Sequence, residues 1–319
     1  MAVHLPLISQ DWLDVGNGHQ LFVAQYGSPQ GTPVLYLHGG PGAACQQGDV
    51  ALFDSAVTDI KAVRLFMLDQ RGCGRSKPYA STEHNHLIAL LSDIEKLRQW
   101  ADVDRWGLCG GSFGATLALL YSCCYPNRVS WQLLWGLFIP SSTSLEWLYG
   151  RDGAGQIFSQ QYRDFKGDYC GSDTQTLLND FVAGLADRDA SVRRDYHQRW
   201  QQWEQVLALP SDDFTRAPYQ GEALAKIEAH YAQAGYFEAQ QILQQRAKVI
   251  SAETLIIQGE LDWVCPPQAV SHFIENNALT QLTLQIINHG YHALGDDKMR
   301  QAVIAALRKM MNNRKDIAE

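Results

Sequence analysis

Three short stretches of the 319-residue chain hold side chains that could together carry out acyl transfer. Gly110-Gly111-Ser112-Phe113-Gly114 sets one serine among glycines. "IIQGELDWVCPP" (256–267) offers two carboxylates, Glu260 and Asp262, and "IINHGYHALGDD" (286–297) offers two imidazoles, His289 and His292. A serine hydroxyl is a weak nucleophile until a base takes its proton, and the base needs an acid to orient it. Where the serine stands on a sharp strand-to-helix turn, the chain order is serine, acid, histidine, as it is here. Asp262 is the expected acid, because it lies further into its loop than the rival Glu260, where open sheets place catalytic groups. His292, deeper in its loop and just before the last helix, is the expected base, and His289 the rival. An oxyanion would need donors, for which the backbone N–H of Phe113 and of Gly40 in "LYLHGGPGAA" (35–44) are the candidates. His38 in that loop reads as a brace.

Such groups meet only if a scaffold brings their loops together. Strand-like runs at 21–26, 34–37, 63–68, 106–109 and 130–137 alternate in their later part with helical patterns, notably 86–100 and the segment after Ser112. From about 141 to 250 the chain turns helical and rich in Gln, Ala, Asp and Trp. Strand patterns return at 254–258 and 282–287, before a closing helix at 298–311. Strands separated by helices imply an α/β fold with a mostly parallel sheet, helices on both faces and the helical block as an inserted cap. The expected division is a catalytic domain from 1–140 and 251–319, with a cap domain from 141–250. The serine then sits between a strand and a helix whose N-terminus favours negative charge, the context a nucleophile elbow requires.

At 46% hydrophobic the chain can bury a large core, and a net charge of −8 supplies no footprint for nucleic acid or an anionic membrane surface. No basic and apolar leader opens the sequence, and no run is apolar enough to span a bilayer. Seven cysteines without regular spacing suit a reducing compartment, so a cytoplasmic globular protein is expected. Cys123 and Cys124 read as core filler, and Cys265, three positions after Asp262, is expected beside the substrate.

HGGPG (38–42), DQRGCGRS (69–76) and GGSFG (110–114), in this order, resemble the prolyl aminopeptidase (proline iminopeptidase) family of α/β-hydrolases. The resemblance extends to RWQQWE (199–204), KIEAHY (226–231) and GELDWVCP (259–266), and so covers nearly the whole chain. It implies removal of an N-terminal residue, typically proline, from short peptides or amides with a free N-terminus, with no cofactor and no metal. By position it implies a Ser112, Asp262 and His292 triad. Glu204 and Glu228 match the cap glutamates that receive the substrate's amine, and Phe138 and Tyr149 match positions lining a pyrrolidine pocket. Three departures stand out: Phe113 where the family more often has Trp, Trp135 where it commonly has Arg, and GYH rather than AGH before the base. A general esterase would share the triad without needing acidic cap groups. A non-catalytic relative would be expected to lack a triad member. An epoxide hydrolase or dehalogenase would need Asp in place of Ser112.

Overall fold

The computed structural model describes residues 4–56, 59–171, 173–209 and 221–312. Eight strands form one sheet: β1 (Leu7–Gly16), β2 (His19–Gly27), β3 (Thr32–Leu37), β4 (Val63–Leu68), β5 (Trp106–Gly111), β6 (Val129–Trp135), β7 (Glu253–Gly259) and β8 (Leu282–Ile287). Their order is β1-β2-β4-β3-β5-β6-β7-β8. The β1–β2 and β2–β4 pairs are antiparallel, and the other pairs are parallel. The central strands are Val-, Ile- and Leu-rich, as strands covered on both faces must be.

Helices α1 (Gln47–Ala56), α2 (Leu87–Trp100) and α3 (Phe113–Cys124) fall between the early strands. Among the described residues, seven more lie between β6 and β7: α4 (Ser142–Tyr149), α5 (Ala154–Ile157), α6 (Ser159–Lys166), α7 (Thr174–Leu185), α8 (Ala190–Ala208), α9 (Ala223–Gln233) and α10 (Ala239–Arg246). After them come α11 (Pro267–Asn277) and α12 (Asp297–Asn312). One core joins a sheet face to α2, α3 and the inserted helices, and a second packs α1 and α12 on the opposite face. The expected mostly parallel α/β sheet is therefore the observed one. No helix among the described residues is long and apolar enough to cross a membrane.

The sheet register positions the site. Leu37 pairs with Gly110, Gly111 with Trp135, Trp135 with Ile257, and Gly259 with Ile287. The parallel strands thus end together, and the segments beginning at His38, Ser112, Gly136, Glu260 and Asn288 leave along one rim.

Candidate active site

Ser112 stands between β5 and α3 with φ 55° and ψ −128°, a backbone conformation that costs an L-residue energy and persists only where its surroundings enforce it. Glycines make the corner passable: a Cβ on Gly114 would lie 2.1 Å from the Leu37 carbonyl oxygen. The Ser112 N–H donates to the Trp135 carbonyl at 2.9 Å, tying the turn to the end of β6. Phe113 opens α3, where first-turn N–H groups have no intrahelical acceptor. The HGGPG loop abuts the serine, since a Cβ on Gly39 would lie 3.1 Å from Ser112 Cβ. His38 holds that loop: Nε2 accepts from the Gln70 N–H at 3.1 Å and Nδ1 donates to the Gly39 carbonyl at 2.9 Å. Both ring nitrogens are committed and burial lowers its pKa, so His38 braces the loop as a neutral imidazole.

The rival acids and bases separate cleanly in space. Asp262 is buried, and its Oδ2 accepts from His292 Nδ1 at 2.8 Å and from Gln258 Nε2 at 3.0 Å. Its Oδ1 accepts the Val264 and Cys265 N–H groups at 3.1 and 2.7 Å. Four donors on its two oxygens hold the carboxylate in one orientation. It fixes the His292 proton on Nδ1 and leaves Nε2 as the ring's acceptor. Glu260 and His289 are exposed and pair with each other: Glu260 Oε2 accepts the His289 N–H at 2.8 Å and lies 3.7 Å from its ring. His292 comes close to the end of β6, because a Cβ on Gly136 would lie 2.8 Å from its Cε1. Its loop is also tied to the insert, where the Ala208 carbonyl closing α8 accepts the N–H groups of His292 and Ala293 at 3.2 and 3.1 Å.

Two carboxylates from the insert face this corner. Glu204 lies on α8 one turn before Ala208, and Glu228 lies buried on α9. Tyr149 donates its hydroxyl to Glu204 Oε1 at 3.3 Å, and Trp200 its indole N–H to Glu228 Oε2 at 2.7 Å. Burial pushes Glu204 up to about 7, against the opposing pull of His292 and the Tyr149 hydroxyl. Burial and then the Glu204 charge push Glu228 well above the usual carboxylate range. For His292, burial acts to lower the pKa, but the Asp262 charge and hydrogen bond, with the Glu204 charge, raise it above the ordinary value. Two carboxyls placed together and withdrawn from water are each pushed toward the protonated form unless a cation joins them.

Residues 32–298 match the alpha/beta hydrolase fold family. Over 303 residues the chain is 30% identical to the proline iminopeptidase of Neisseria meningitidis, covering 94% of this chain and 95% of that one. It is 34% identical over 263 residues to the proline iminopeptidase of Xylella fastidiosa, covering 80% of this chain and 82% of that one. The chain belongs to the proline iminopeptidase family of α/β-hydrolases. The crystal structure of a Mycobacterium smegmatis proline iminopeptidase shares the fold with a TM-score of 0.60 at 17% identity, over 98% of this chain and 100% of that one. An esterase from Exiguobacterium antarcticum does so almost equally, at 0.57 and 19% identity over 98% of this chain and 100% of that one. Fold alone therefore does not separate peptidase from esterase, and the distinction rests on the insert.

Aromatic side chains surround this corner. Phe138 and Tyr149 are buried, and Phe138 packs on Tyr236 with ring centres 4.7 Å apart. Tyr236 also approaches Phe113 at 5.9 Å, and Tyr231 does so at 5.3 Å. Tyr236 carries no motif, and only the fold brings it here. Trp135, the position where the family commonly has Arg, packs on Tyr36 and under Gly111 in the core shared with α1 and α12. Its replacement is therefore a packing feature beneath the serine. Gln258, which also donates to the Cys265 carbonyl at 2.5 Å, reads in sequence as an ordinary strand residue. Cys265 is buried, with its thiol pushed up by burial and then by the Asp262 charge. Its Sγ, an Asp262 oxygen and a His292 nitrogen lie within 4.8 Å of one another, the one such trio among the described residues that could share a metal ion. The four protein donors on Asp262 give that group a hydrogen-bonding task already.

Proposed function

We propose that this protein is a serine aminopeptidase that releases an N-terminal residue, preferably proline, from short peptides or amino-acid amides with a free N-terminus. The observation that carries the reading is the Glu204–Glu228 pair beside His292, with Glu228 buried and Glu204 half-buried. In this mechanism Ser112 Oγ attacks the scissile carbonyl while His292 Nε2 takes its proton, and Asp262 stabilises the imidazolium that forms. The N–H groups of Phe113 and Gly40 receive the developing oxyanion. His292 then gives the proton to the leaving amine, and water attacks the Ser112 acyl-enzyme by the same route in reverse. Glu204 and Glu228 hold the substrate's protonated amine, which sets the distance from N-terminus to nucleophile at one residue.

Two carboxylates suit proline in particular. Each already spends one oxygen on a protein donor, leaving one on each for the ligand. A protonated pyrrolidine has two N–H groups, so both are satisfied, and its ring carbons meet Phe138, Tyr149 and Tyr236. In this reading 141–250 acts as a cap domain over a catalytic domain formed by 1–140 and 251–319. All seven cysteines are unpaired, which supports a reducing, cytoplasmic setting.

Four substrates test the proposal: proline arylamide, alanine arylamide, an N-blocked proline arylamide and a short neutral ester. Proline arylamide should be cleaved best and the blocked amide refused. Turnover of the blocked amide at the rate of the free amine would replace the aminopeptidase with a general amidase or esterase.

A further inference from the structure

We propose that Trp200 is a positioning residue for the amine-binding pair, its indole N–H holding Glu228 so that one carboxylate oxygen stays with the protein and the other is left for substrate. The inference rests on the role given above to Glu204 and Glu228. Trp200 lies on α8 one turn before Glu204, so the two share a helix face. It is fully buried, and its Nε1 reaches across to Glu228 Oε2 on α9 at 2.7 Å. Its ring packs against Tyr149 with centres 4.9 Å apart, and Tyr149 in turn donates to Glu204. One indole thus fixes Glu228 directly and Glu204 through its neighbour.

The ring has little freedom to do otherwise. Phe181 meets it edge-on at 5.1 Å and Phe165 at 5.9 Å. An indole N–H is a donor only, so it stabilises Glu228 as an acceptor, the form an ammonium group needs. Among the described residues it is the hydrogen bond that Glu228 receives. The bond opposes the rise that burial and the Glu204 charge impose on Glu228, so without it the carboxyl would hold its proton to still higher pH.

The test is steady-state kinetics of Trp200→Phe on proline arylamide and on a short neutral ester, with melting curves recorded alongside. The KM for the amine substrate should rise ~10-fold or more, the usual worth of a hydrogen bond to a charged group. Its acid limb should move to higher pH, and kcat/KM for the ester should stay within about threefold of the parent, far inside that tenfold effect. Adding Trp200→Phe to Glu228→Gln should bring no further amine-specific loss, because the indole acts through Glu228. Phe165→Leu should lower stability without the amine-specific rise in KM. Equal losses on both substrates, additive losses in the double variant, or Phe165→Leu reproducing the KM effect would overturn the proposal. Should Trp200→Phe not fold, the unmodified protein still decides: the indole 15N–H resonance most displaced by Glu228→Gln should move when pyrrolidine binds, and a silent resonance refutes the role. If Glu228→Gln leaves proline arylamide hydrolysis intact, the carboxylate reading itself fails. If Glu228→Gln is impaired and Trp200→Phe is not, only the role of Trp200 is lost.

Discussion

Asp262 and Glu260 stand two residues apart, yet their environments give them different capacities. Four donors converge on Asp262 in the interior, whereas Glu260 meets His289 at the surface, where an ion pair contributes little. The same contrast divides His292 from His289. Asp262→Asn should present the wrong hydrogen-bonding partner to His292 and cut kcat on the order of 10⁴-fold, the known cost of a wrong imidazole tautomer in such triads. His292→Ala and Ser112→Ala should be at least as severe, while Glu260→Gln and His289→Ala should stay within about threefold, as surface changes away from the chemistry do. Measured kcat values in the reverse order would reassign the acid and the base. These residues were legible because the chemistry demands a fixed chain order and a glycine-lined serine. Trp200 and Tyr236 were not, because a buried tryptophan or tyrosine on a helix looks the same in sequence whether it fills a core or holds a carboxylate.

Most of the sheet could be read directly: the buried strand β4 is a nearly continuous apolar run and coincides with 63–68, and the more exposed edge strand β8 coincides with 282–287. β1 escaped because it is an edge strand bonded on one side, with Leu7 and Trp12 about half exposed and polar residues between them. The insert was legible as a helical block and no further. Its helices are divided by an aromatic core of Phe165, Phe181, Trp200 and Trp203 whose contacts are tertiary. Strand ends were less legible than strand centres, and one of them matters for function. The run expected to extend to 137 stops at Trp135, and Gly136 turns away with φ 52°, leaving room for the His292 ring. Gly136→Ala should cost about 1–2 kcal/mol from the left-handed backbone alone. Its new methyl would also displace the imidazole, and a shift of about 1 Å at such a group lowers kcat roughly 10²-fold. KM should change little, because the carboxylates proposed to bind the amine lie on α8 and α9. An unchanged kcat would mean that the turn after β6 does not set the position of the base.

The Glu204–Glu228 pair gives the protein as a whole a pH-dependent stability. Glu204 rises from the ordinary 4.5 of a glutamate to about 7 on folding, with burial the leading cause, and Glu228 rises further. Between those values the folded protein holds more protons on this pair than the unfolded chain does. Stability from Glu204 is therefore fully present below about 4.5 and is lost as pH rises through about 7, and that from Glu228 is lost over a range that reaches higher. Glu228→Gln removes a carboxyl that must take up a proton to fold into this place and leaves an amide oxygen to accept from Trp200. At pH 8 this variant should melt a few degrees above the parent, since even 1–2 kcal/mol moves the midpoint of a domain this size by that much. Near pH 4, where the parent's pair is protonated, the two melting points should converge. Pyrrolidine, a cation with no scissile bond, should stabilise the parent at pH 8 by mass action and the variant far less. The same substitution should impair cleavage of proline arylamide, so stability and function would change in opposite directions at one residue. A Glu228→Gln protein less stable than the parent at pH 8, or stabilised equally by pyrrolidine, would show that the pair is held by compensations within the fold and is not waiting for a cation.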